Sequence, residues 1–167
     1  MPSNDVRQRS WQRDALGAAG FLLAVAVAAV LGSIAASSSS EQYQQLQQPS
    51  WAPPSWLFGP TWTVLYILIA ISGWLVWRTA GSFSNARTEL AVYFGQLVLN
   101  AAWTPLFFAA RLYGLAAIEI VVLVVAIVIT TVLFFRRSRL AGVLLLPYLA
   151  WTVFATALNV SIWLLNS

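Results

Sequence analysis

Five apolar runs, each long enough to cross a bilayer, divide this chain and leave only short connections between them. They cover residues 15–36, 56–78, 88–109, 112–135 and 140–165. A helix rises about 1.5 Å per residue, so the 22 residues of the first run reach about 33 Å against a hydrocarbon core of about 30 Å. Backbone polar groups in lipid must be satisfied within the segment, and a helix does this. The expected fold is an all-α membrane protein, a five-transmembrane-helix bundle over residues 15–167 behind a polar tail at 1–14. A cleaved signal peptide is the competing reading of the first run, because Ser33-Ile34-Ala35 resembles a cleavage site. The run exceeds the usual apolar region of about 7–15 residues.

Charge supports the membrane reading. Only 8% of residues are charged, against about 25% in soluble proteins. There is no cysteine and no histidine. Disulfides, thiolate chemistry and the commonest metal ligand and general base are therefore excluded, and no metal site or cofactor is expected. The basic residues are all arginine and lie in separate short loops, so a nucleic-acid face is not expected. Eight of them (Arg7, Arg9, Arg13, Arg78, Arg87, Arg136, Arg137 and Arg139) fall on one side of a five-span topology, and Arg111 alone on the other. The positive-inside rule then predicts a cytoplasmic N-terminus, with the C-terminus and first loop on the outer side.

Polar and aromatic residues inside the runs form candidate faces. Gly20, Ala24, Ala28 and Gly32 recur every four residues, a small-residue stripe that lets another helix approach; the plain abundance of alanine is the simpler explanation. Trp62 and Tyr66 share a face of the second run. Gln96, Asn100, Trp103 and Phe107 form one stripe on the third, which should face inward because amides are costly against lipid. Pro105 should kink that helix. Glu119 is the one carboxylate well inside a run, a functional-site hypothesis by default; a hydrogen bond to an indole or amide is the structural alternative. Tyr148, Trp151, Ala155 and Asn159 are near helical spacing on the fifth. Trp74, Trp77 and Trp163 lie near run ends and suit an interfacial belt. Ahead of the second run, residues 49–66 hold four of the seven prolines and three of the nine tryptophans. With Tyr43 and Trp51, the first part of that stretch is expected to form a lid.

The motifs Leu46-Gln-Gln-Pro-Ser-Trp-Ala-Pro-Pro, Gly59-Pro-Thr-Trp-Thr-Val-Leu-Tyr, Gln96-Leu-Val-Leu-Asn-Ala-Ala-Trp and Pro147-Tyr-Leu-Ala-Trp-Thr-Val-Phe-Ala-Thr-Ala-Leu-Asn occur in order. In these the chain resembles the TspO/MBR family, the tryptophan-rich sensory and translocator proteins, also called peripheral-type benzodiazepine receptors. The resemblance implies a homodimeric five-helix membrane protein that binds porphyrins and drug-like ligands under its first loop. Carried over by position, Tyr43, Trp51, Trp62, Asn100, Trp103, Trp151 and Ala155 would line the pocket, and Glu119 stands where the family usually has an acid. Tyr66, Gln96 and Phe107 join the ligand-binding set from their helix faces. The animal sterol-recognition pattern, a tyrosine followed by an arginine at the end of the fifth helix, is missing from residues 159–167, and Gln48 replaces a basic residue often found in the first loop.

Three functions compete. One is binding of a porphyrin as ligand, for transport, sensing or regulation. A second is light-dependent porphyrin degradation, with Trp62 and Trp151 as the redox-active side chains. A third is a structural or partner-binding membrane protein, packing through the first-helix stripe or through Ala91 and Gly95.

Overall fold

The computed structural model of the chain describes residues 4–35 and 39–167, with side chains from residue 11 onward except 35, 39 and 40. Residues 1–3 of the expected tail, residue 36 at the end of the first expected run, and residues 37–38 lie outside the described residues. Six α-helices follow in order: α1 (Asn4–Ala35), α2 (Ser39–Gln45), α3 (Phe58–Ala80), α4 (Arg87–Thr104), α5 (Tyr113–Arg137) and α6 (Arg139–Leu165). All but α2 belong to segments long and apolar enough to cross a membrane, five in number.

Two elements differ from the sequence expectation. Residues 4–14, expected as a polar tail, continue α1. No proline or glycine interrupts them, and glutamine and arginine are good helix formers. Between the first and second apolar runs, where no element was expected, Ser39–Gln45 form α2, too short to show a period but anchored by Tyr43, whose ring meets Phe58 edge-on at 5.3 Å.

The five long helices close into a ring in the order α1, α3, α6, α5, α4 and back to α1. Its core is continuous through Ile69, Val76, Tyr93, Leu123 and Leu145. Glycine sets the closest approach. A Cβ on Gly73 would lie 2.7 Å from Tyr93 and 2.8 Å from Phe21, so α1, α3 and α4 meet there only because that carbon is missing. The Tyr93 hydroxyl then donates to the Ile69 carbonyl at 3.1 Å, and Ser72 donates to the Ala141 carbonyl at 2.7 Å. Both bonds satisfy hydroxyls buried away from water.

The connections place the charged groups. Gly81 ends α3 at φ 78°, a left-handed conformation that glycine adopts without a Cβ penalty, and its N–H returns to the Trp77 carbonyl. Arg13 donates to the Gly81 carbonyl, Asp14 pairs with Arg78 at 2.9 Å, and Arg137 pairs with Glu89 at 2.6 Å. These contacts gather Arg13, Arg78 and Arg137 at one end of the bundle. Ser138 alone joins α5 to α6 and caps α6 through its hydroxyl. At the other end, α4 passes at Pro105 into a π turn over Pro105–Ala109, with the Ala110 N–H reaching back to the Pro105 carbonyl at 2.8 Å. This turn stands where a kink was expected. Arg111 completes the reversal with a positive φ of 54°.

Candidate functional site

The end of the bundle away from the arginine cluster holds a cavity of about 430 Å³, within the range of about 300–1,000 Å³ usual for small-molecule sites. Phe58, Trp62 and Tyr66 supply one wall, each four residues after the last on α3 and so on one face. Asn100, Trp103 and Thr104 face them from α4, and Trp151, Thr152 and Ala155 from α6. Ile120 and Leu123 of α5 form the apolar back. Ala29, Gly32 and Ser33 of α1 close the remaining side. Gly32 keeps that side thin: a Cβ there would stand 3.5 Å from the Thr104 hydroxyl.

A polar chain fixes the inner walls. Tyr66 donates to Asn100 Oδ1 at 2.9 Å, Asn100 Nδ2 donates to the Tyr148 hydroxyl at 3.2 Å, and Tyr148 donates to Gln96 Oε1 at 2.7 Å. Four side chains from three helices are thereby held in one register, in surroundings where an unmade bond costs more than in water. A second link holds Trp103. Its indole N–H donates to Asn159 Oδ1 at 3.1 Å, and Asn159 Nδ2 donates to the Tyr113 carbonyl at 3.1 Å. Phe107 stacks on Trp103 with ring centroids 5.0 Å apart.

Trp151 differs. Its ring meets Phe58 at 5.9 Å and Phe154 at 5.4 Å, yet its indole nitrogen is buried and has no hydrogen-bond partner among the described residues. Trp151 therefore offers the cavity its ring, while its N–H is an unspent donor packed within the wall. Trp62 presents a face, packed on Tyr66 at 5.3 Å and edge-on to Tyr148 at 6.2 Å.

A lid covers the cavity mouth. Tyr43 lines the cavity from α2 and donates its hydroxyl to the Pro53 carbonyl at 3.1 Å. Burial pushes this hydroxyl above the ordinary tyrosine range, so it remains a donor through neutral pH. Gln48 Nε2 donates to the Tyr43 carbonyl, tightening the same turn. The lid is then tied to the end of α6. Asn166 accepts from the Gln47 N–H at 3.0 Å and donates to the Gln47 carbonyl at 2.9 Å, a two-point amide clamp across 119 residues of sequence.

Of the sequence-derived set, Tyr43, Trp62, Tyr66, Asn100, Trp103, Trp151 and Ala155 come together on the cavity wall. The other four do not line it. Trp51 is exposed and leans edge-on against Phe154 at 5.7 Å. Gln96 and Phe107 stand behind the wall, as partners of Tyr148 and Trp103. Glu119 lies on α5 next to Ile120; both its carboxyl oxygens are buried and unpartnered among the described residues, so the expected indole or amide partner is not found there. Sequence reading missed Phe58, Thr104, Thr152 and the α1 contribution. Phe58 was within reach, since it extends the Trp62–Tyr66 spacing by one turn. From α1, Gly32 was read only as part of a helix-packing stripe, and nothing in the sequence tied Ala29 or Ser33 to a cavity.

The TspO/MBR family profile matches residues 20–164. The human translocator protein is 42% identical over 148 residues, covering 87% of this chain and 88% of its own length. A tryptophan-rich protein TspO from Archaeoglobus fulgidus is 40% identical over 147 residues, covering 87% and 94%. The tryptophan-rich sensory protein of Cereibacter sphaeroides is 36% identical over 146 residues, covering 87% and 89%. With five spanning helices and near full-length identity to these relatives, the chain belongs to the TspO/MBR family and is an integral, multi-pass membrane protein.

Proposed function

We propose that this protein binds a flat tetrapyrrole, a metal-free porphyrin, in the cavity under the lid, and acts in porphyrin transport, sensing or regulation. The observation that carries the reading is the cavity wall: Trp62, Trp103 and Trp151 from three helices around one space. Aromatic faces suit a large π-system. A chain without histidine or cysteine offers iron none of its commonest axial ligands, which favours the free base over haem. Relatives named for translocation and for sensing agree in kind with either outcome of binding.

The same reading places the N-terminus and arginine cluster in the cytoplasm and the lid outside. It has a second copy pack on the exposed face of α4 at Ala91 and Gly95, where a Cβ on Gly95 would meet nothing within 4 Å.

Titrating the purified protein with protoporphyrin and following tryptophan fluorescence tests the binding reading. Saturable quenching is expected, with a weaker apparent affinity in Trp62→Ala and Trp151→Ala. Identical titration curves in wild type and both variants would refute the site. Parallel titrations with haem and a sterol should show weaker binding than the free base.

A further inference from the structure

A second concavity lies at the opposite end of the bundle, outside the ring, where α1 crosses the α3–α4 connection. Its volume is about 610 Å³. The floor is aromatic. Phe21 stacks nearly parallel with Phe83 at 6.3 Å and with Phe94 at 6.0 Å, and Trp77 leans on Phe83 at 5.9 Å. The side formed by α1 is nearly bare. Gly17 packs so closely on Trp77 that a Cβ would lie 2.1 Å from the ring, while one turn on Gly20 faces open space, with nothing within 4 Å. The result is an apolar concavity that is closed by the Trp77 ring at Gly17 and open at Gly20.

Its rim is cationic. The Arg13 guanidinium lies 5.0 Å from the centre of the Trp77 ring and donates to the Gly81 carbonyl. A guanidinium carries five N–H donors, so these contacts fix Arg13 in place without exhausting it. Two other arginines at this end are paired, Arg78 with Asp14 and Arg137 with Glu89. Arg13 has no carboxylate partner among the described residues. Gln12 beside it lines the same rim.

An apolar concavity at the end of a membrane span, headed by an oriented and unneutralised cation, is complementary to an anionic amphiphile. We propose that this groove is a binding site for an anionic phospholipid of the leaflet on the arginine-rich side, with the phosphate at Arg13 and an acyl chain past Gly20 over Phe21 and Phe94. A linear chain fits the space left open at Gly20, and the head group supplies the acceptors that Arg13 lacks. The site is separate from the cavity under the lid and does not depend on what that cavity binds.

The test uses the full chain in neutral detergent, with equimolar dioleoyl phosphatidylglycerol and dioleoyl phosphatidylcholine, and native mass spectrometry to count retained lipid. Wild type should favour phosphatidylglycerol by about fivefold, the effect of one arginine near an anionic surface. Arg13→Gln should bring the ratio close to one with phosphatidylcholine binding unchanged. Gly20→Leu, whose side chain would enter open space, should lower retention of both lipids. The protoporphyrin titration should be unaltered in both variants and the melting temperature unaltered in Gly20→Leu, with only a small fall in Arg13→Gln for its lost contacts to Trp77 and Gly81, which separates a lost lipid site from a damaged fold. An unchanged lipid ratio in Arg13→Gln would overturn the proposal, as would full retention of both lipids in Gly20→Leu. If Gly20→Leu instead dissociates an oligomer and leaves lipid binding intact, the groove is a contact between copies of the chain and the proposal fails.

Discussion

The two ends of the helix bundle solve the same packing problem in opposite ways. Toward the arginine cluster, α1, α3 and α4 converge on Gly73, and the space between them is filled by Tyr93 and Phe21. Toward the lid, the same helices are held apart by indoles, phenols and amides, and a cavity remains between them. At the closed end, hydroxyls bond to backbone carbonyls of the neighbouring helix, as Tyr93 does to Ile69 and Ser72 to Ala141. At the open end, side chains bond to one another in a chain from Tyr66 to Gln96. A side chain bonded directly to the neighbouring backbone permits a closer helix approach than two side chains bonded end to end, although Asn159 makes one such backbone bond at the open end too. One end therefore fixes the fold, and the other keeps room for a guest.

The largest effect that would break this contrast is at Gly73. Gly73→Ala puts a methyl group against the fully buried Tyr93, and overpacking of this kind costs about 1–3 kcal/mol. A clear fall in the melting temperature in detergent is expected. A neutral result would mean that the closed end is looser than its contacts imply. Next comes the polar chain. Asn100→Ala leaves the Tyr66 and Tyr148 hydroxyls short of partners, at about 1–3 kcal/mol for each group left unsatisfied. Both stability and protoporphyrin affinity should drop, whereas Gly73→Ala should leave the affinity of the protein that remains folded near wild type. Trp151→Phe keeps an aromatic wall and removes the N–H. If that donor meets the ligand, affinity falls by about 1 kcal/mol, roughly fivefold, with little change in melting temperature. Equal binding by Trp151→Phe would leave only the ring face as its contribution. The smallest effect is at the clamp. Asn166→Ala removes both bonds to Gln47, and the dissociation rate of protoporphyrin in stopped flow should rise a few-fold, for about 1 kcal/mol of lid stability. An unchanged rate would mean that the lid is not the exit.

Much of this arrangement was legible before any coordinates. The 3.6-residue period put Trp62 with Tyr66 and Asn100 with Trp103, and the cost of amides in lipid turned those faces inward. The same logic failed to separate the wall from what supports it. Gln96, Phe107, Asn100 and Trp103 share one helical stripe, yet Asn100 and Trp103 line the cavity while Gln96 and Phe107 stand behind it. A period gives a direction around one helix and says nothing about how far the facing helix stands at each level. The small-residue stripe of α1 shows the same limit. Ala28 and Gly32 face the bundle, but Gly20 meets nothing. The four-residue spacing drifts around the helix, and only the neighbours decide where contact ends.

The sequence by itself determined the number of spanning segments, the clustering of arginine at one end and the residue types available to a ligand. Length and hydropathy decide the first, because lipid leaves the backbone no alternative to the helix. Lids, clamps and grooves were decided only by the tertiary structure. Asn166 meets Gln47 across 119 residues of chain, and Arg13 meets Trp77 and Gly81 across two separate helices. Such contacts depend on how the ring of helices closes, which no local pattern of residues encodes.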